Sequence, residues 1–166
     1  MEAAARRIIP SRARAWLVAY SALGLVARWS RPRRRVPRRG SPLPGAVVAV
    51  AGYPLGRALL DDHPVIPPPD SAGIELAALG GTVAAAEELI WGGLVEPELG
   101  IGVTSVLFAA KHALIDGRWR RTLGLALFAA GLGLVRSCSP RSAWAVHTIC
   151  NSAGVVLGHA TGRDQF

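Results

Sequence analysis

Five polar residues lie as candidates for chemistry within otherwise apolar stretches: Glu87, Glu88, His112, His147 and Asn151. An ionisable group inside a membrane span costs roughly 2.5–3.5 kcal/mol on insertion scales, so one that is kept there is a functional candidate by default. Glu87 and Glu88 are adjacent. Two like charges in a low dielectric repel, and one of them tends to hold a proton. Such a pair suits a general base beside a group that stays neutral or binds a positive partner. His147 and Asn151 are four residues apart and share a helix face, about 5–6 Å from each other. Phe108 and His112 repeat that spacing, so Phe108 can wall a pocket beside His112.

The segments that must position these groups are apolar. The chain has 166 residues, of which 51% are hydrophobic and 18% charged, and its mean hydropathy is +0.31. A soluble domain of this length draws its surface from many more charged side chains. Of the 19 basic residues, 11 precede residue 41, and only Lys111 is a lysine. The run from Arg31 to Arg39 has no interleaved aromatics and directly precedes an apolar segment. It reads as a topology signal on the anionic cytoplasmic leaflet rather than as a nucleic-acid contact. No nucleic-acid partner is expected. Cys138 and Cys150 form no CxxC pair and read as small buried hydrophobes.

Along the chain, a basic N-terminal part (residues 1–42) holds a short apolar or interfacial helix at Ala15–Ala27 and an arginine- and proline-rich linker at 28–42. Residues 43–166 read as a membrane-embedded helical domain. Its expected spans are Leu43–Leu60, with Arg57 snorkelling, then Ile74–Val95, Leu99–Ile115, Thr122–Val135 and Ser142–Thr161. An acidic loop at Asp61–Gly73 separates the first two, Glu96-Pro97-Glu98 ends the second, and Arg136–Arg141 is a short loop. The fold class is all-α: a multi-pass transmembrane bundle of five or six helices, since open sheets leave unpaired backbone in lipid. Gly80, Gly81, Ala84, Ala85, Gly154 and Gly158 mark close helix approaches. Trp91, Trp119 and Trp144 read as interfacial anchors or packing groups. His63 and His159 fall outside the site.

These residues compose three motifs in order, each on a different apolar stretch. Glu87-Glu88-Leu89-Ile90-Trp91-Gly92 resembles EExxxR, Phe108–His112 matches FxxxH, and His147–Asn151 matches HxxxN. Together, over roughly residues 74–161, they resemble the CPBP intramembrane metalloproteases, the CAAX-prenyl-protease-like or Abi family. The resemblance implies an integral membrane endopeptidase that cuts a peptide or protein substrate at or near the bilayer surface. It makes Glu87 the base that activates water, Glu88 its support, and Asn151 the group that stabilises the oxyanion. His112 and His147 would hold the attacked oxygen or, with Glu88, a divalent metal such as zinc. Gly92 stands where the motif has arginine, and Lys111, beside His112, is the candidate for the missing charge. Two other classes fit the same residues: a non-catalytic membrane scaffold, and an ion-handling membrane protein that uses the Glu/His cluster.

Overall fold

A computed structural model describes residues 12–30, 39–60, 73–117 and 119–163. Most of the arginine-rich arm (31–38) and of the acidic loop with His63 (61–72) lies outside the described residues. The described chain is helical, with no strand. It forms α1 (Arg12–Trp29), α2 (Leu43–Leu59), α3 (Gly73–Glu87), a π-helix (Glu88–Val95), α4 (Glu96–Asp116), a 3₁₀ turn (Trp119–Arg121), α5 (Thr122–Cys138) and α6 (Pro140–Thr161).

Two stretches are long and apolar enough to cross a bilayer, Ile74–Leu114 and Trp119–Cys138, with mean hydropathies of 1.3 and 1.2. The first is not one straight rod. Trp91 and Phe108 would lie about 25 Å apart along a continuous α-helix at 1.5 Å per residue, yet their ring centroids are 5.7 Å apart. The chain therefore doubles back between them. Gly100, at φ 78 and ψ 168, is the non-helical residue where it does so. A side chain is disfavoured at that φ, and glycine adopts it freely. The break expected at Glu96-Pro97-Glu98 thus falls a few residues later. Pro97 sits in the first turn of α4, where a missing N–H is tolerated.

The chain divides into two compact units, each assembled from separate sequence segments: 1–32, 63–89 and 147–166 in the first, 33–62 and 90–146 in the second. In the first unit, α3 packs on the His147–Thr161 part of α6 through its expected small residues. A Cβ on Gly80 would meet the Ser152 backbone at 2.9 Å, and the Ser152 hydroxyl donates to the Ala77 carbonyl (3.0 Å). Ala84 is fully buried.

In the second unit, α2 and α5 meet backbone to backbone through a seam that the sequence reading did not single out. Gly45, Ala49, Gly52 and Gly56 face Gly131, Leu127 and Gly124, and a Cβ on Gly56 would meet the Gly124 Cα at 2.6 Å. The large apolar residues of α2, Leu43, Val47, Val50, Leu55 and Leu59, are exposed. Water favours the opposite arrangement, whereas lipid favours this one, with small residues at helix contacts and branched apolar side chains outward.

Two arginine assignments are corrected by packing. Arg57 does not snorkel. It is 1% exposed, with its guanidinium over the Tyr53 ring (5.6 Å) and donating to the Tyr53 hydroxyl (3.5 Å). Arg121 also donates to that hydroxyl (3.2 Å). Arg136 does not begin a loop, because α5 continues to Cys138 and buries it. Its ion pair with Glu96 offsets a desolvation cost that either charge alone would leave uncompensated. Among the tryptophans, Trp91 packs edge-on against Phe108, while Trp119 and Trp144 are exposed.

The seam has a direct check. In Gly131→Ala the new Cβ would meet the Ala49 Cα and the Gly45 carbonyl oxygen at 2.7 Å, so unfolding in mixed micelles should register a loss of about 1–3 kcal/mol. Gly102→Ala meets open space and should be neutral or stabilising, by up to about 1 kcal/mol. Equal stability of the two variants would contradict the packing.

Candidate active site

The imidazole of His147 lies at the centre of the first unit's polar cluster and is 1% exposed. It is carried by the part of α6 that Gly80 and Gly81 allow to approach α3; a Cβ on Gly81 would stand 3.6 Å from the Thr148 methyl. The ring is bracketed by carboxylates. Its Nδ1 is hydrogen-bonded to Glu88 Oε1 at 2.9 Å, and Nε2 stands 3.4 Å from Glu87 Oε2.

Consecutive residues of an α-helix point in different directions, so two neighbouring acids reaching one ring needs a local reason. Glu87 is the last residue of α3 and Glu88 the first of the π-helix. The two acids therefore stand where the helix changes its winding. π segments are rare, usually a single turn, and frequent at functional sites. The sequence reading did not anticipate this one, since an apolar run looks the same in either winding.

The cluster is arranged to share protons. Glu88 holds the imidazole by Nδ1, which fixes the ring's orientation and directs Nε2 at Glu87. This is the logic of an acid–histidine pair that serves a third group. Glu87 is 3% exposed.

Asn151 follows His147 by one turn on α6, half-buried, and makes no side-chain hydrogen bond among the described residues. His112 belongs to the second unit. There its ring meets the edge of Phe108 (centroids 5.1 Å apart, 60° between planes), as the four-residue spacing predicts. Lys111 lies over the rings of Phe108 (5.0 Å) and Trp91 (5.9 Å), in cation–π geometry.

Among the described residues, no group of three His, Cys, Asp or Glu side chains is arranged to hold a metal ion.

A double-mutant cycle tests the cluster. His147→Asn combined with Glu88→Gln should show a coupling of about 1.5–3 kcal/mol in micellar unfolding, as for hydrogen bonds to charged groups. Additive losses would mean that the two side chains do not interact.

The chain matches no family model, no curated protein and no solved structure, so any kinship to known peptidases rests on the residues just described.

Proposed function

We propose that this protein is an integral membrane endopeptidase of the CPBP kind that hydrolyses a peptide bond at or near the bilayer surface with water activated by Glu87. The observation that carries the reading is the buried Glu87–His147–Glu88 array. The three motifs, in order along the chain, support it. Membrane residence is supported by the two helices long and apolar enough to span. The burial of arginine, glutamate and histidine, together with the outward-facing leucines and valines of α2, supports it too.

In the proposed reaction Glu87 accepts a proton from water as the water attacks the scissile carbonyl. Glu88 keeps the His147 ring in register. The imidazole relays the proton toward the departing amine, and Asn151 donates to the oxyanion through its amide N–H groups. By the resemblance alone, His112 and His147 would hold the attacked oxygen or, with Glu88, a zinc ion that polarises the carbonyl. The substrate class carried over from the family is prenylated peptide in eukaryotes, and precursor or bacteriocin peptide in bacteria.

The test uses the full chain in detergent or proteoliposomes with a panel of membrane-anchored fluorogenic peptides, prenylated and unprenylated. Glu87→Gln should remove turnover while the thermal transition persists. A folded Glu87→Gln protein that cleaves as fast as the wild type would overturn the reading. Partner binding without cleavage would favour a scaffold, and cation flux in vesicles an ion-handling protein. Dialysis against a chelator separates the two routes: turnover that survives it fits the metal-free one, and turnover lost and restored by zinc fits the metal-assisted one.

A further inference from the structure

Gly92 occupies the position at which the EExxxR pattern places arginine, and the space above it is filled. A Cβ built on Gly92 would collide with Arg136 Nε and stand 2.7 Å from Cζ and 2.8 Å from Cδ. The guanidinium of Arg136, from the last turn of α5, therefore lies directly on the bare backbone of the π-helix. It pairs with Glu96, the first residue of α4, and the two side chains are 8% and 2% exposed. A second glycine admits the other half of the pair: a Cβ on Gly133 would stand 3.3 Å from the Glu96 carboxylate and 2.7 Å from Ile101. Gly133 precedes Arg136 on α5 by one turn. Both glycines are thus cleared for one buried ion pair.

We infer that Arg136 is a positioning residue for Glu88, acting along the π-helix whose backbone it covers at Gly92 and whose far end it ties through Glu96. The inference rests on the proposed peptidase reading only for its consequence on turnover; the structural link is independent of it. The link runs along one element. The π-helix begins at Glu88, carries Gly92 one turn later, and ends at Val95, next to Glu96. An arginine that covers Gly92 and binds Glu96 fixes that helix at its middle and its far end, and so fixes the direction in which its first residue points. Lys111 does not fill this place. Its ammonium is drawn to the Phe108 and Trp91 rings, and it lacks the planar fork that guanidinium presents to a carboxylate. The winding itself fits the role, because a long π segment persists only where surrounding contacts over-determine it.

The experiment compares Arg136→Gln, Arg136→Lys, Gly92→Ala and the relocated pair Gly92→Arg with Arg136→Gly, using Arg121→Gln as a second buried-arginine control. Two readouts are taken on the full chain in lipid: turnover, and the ring-nitrogen resonances of ¹⁵N-labelled His147, assigned by their loss in His147→Asn. Gly92→Ala keeps both charges and only displaces the guanidinium, so it decides the matter if Arg136→Gln fails to fold. Both variants should alter the His147 resonances, and both should lower kcat by about 100-fold with KM little changed, as a small misplacement of reacting groups does. Arg136→Lys should recover part of the loss, the relocated pair more, and Arg121→Gln should leave the resonances alone. Wild-type His147 resonances in folded Gly92→Ala or folded Arg136→Gln would overturn the inference. Altered resonances in a chain whose wild type cleaves no peptide would uphold the positioning role and refute the peptidase reading instead.

Discussion

The structure depends on pairing charges that have been taken out of water. A carboxylate or guanidinium in a low-dielectric interior is tolerated only when a partner and hydrogen bonds replace its hydration. This chain buries Glu87, Glu96, Arg57, Arg121, Arg136 and His147. The described contacts give several of them such partners: Glu87 and Glu88 on His147, Arg136 on Glu96, Arg57 and Arg121 on the Tyr53 hydroxyl. Many large apolar residues, those of α2 among them, face outward, while Phe108, Leu125, Phe128 and Leu132 are buried. At the α2–α5 and α3–α6 seams, glycine and alanine let backbones touch and bring dispersion contacts.

That constraint links the scaffold to the chemistry. The close approach at Gly80 and Gly81 brings α6 onto α3 and delivers His147 to the two glutamates. The change from α to π winding lets neighbouring acids address one ring. In the second unit, the reversal at Gly100 returns α4 past the π-helix, so that Phe108 meets Trp91 and His112 stacks beside it. None of these groups has unusual chemistry alone. For the first unit's cluster, the proposed reaction depends on burial, which raises the strength of the interaction between carboxylate and imidazole.

Much of the arrangement is legible in the amino-acid sequence, and the illegible parts share a cause. Helix positions follow from apolar runs interrupted by glycine, proline and charge, so α2 and α6 fall close to their expected bounds. The Glu87–His147 pairing is legible because acids and imidazoles stand out in an apolar chain. The π-helix is not, since a shift in backbone hydrogen bonding leaves no trace in the pattern of side chains. Arg57 was expected to snorkel, as single charges near helix ends usually do, and Arg136 to begin a loop. Their burial depends on Tyr53 and Glu96, and the Arg136–Glu96 partners are 40 residues apart in sequence, a distance over which spacing rules say nothing. Gly92 and Gly133 were the available hint, two glycines with no turn to make.

The central claim is that His147 is held between two carboxylates inside the protein. The most direct measurement is a dipolar distance between the ring nitrogens of ¹⁵N-histidine and the side-chain carboxyls of ¹³C-glutamate, in the full chain reconstituted in lipid. The account predicts that His147 Nδ1 couples to Glu88 at hydrogen-bond range, with an Nδ1–Oε1 separation of 2.9 Å, and that Nε2 couples more weakly to Glu87. A His147 ring with no measurable coupling to either carboxyl would contradict it.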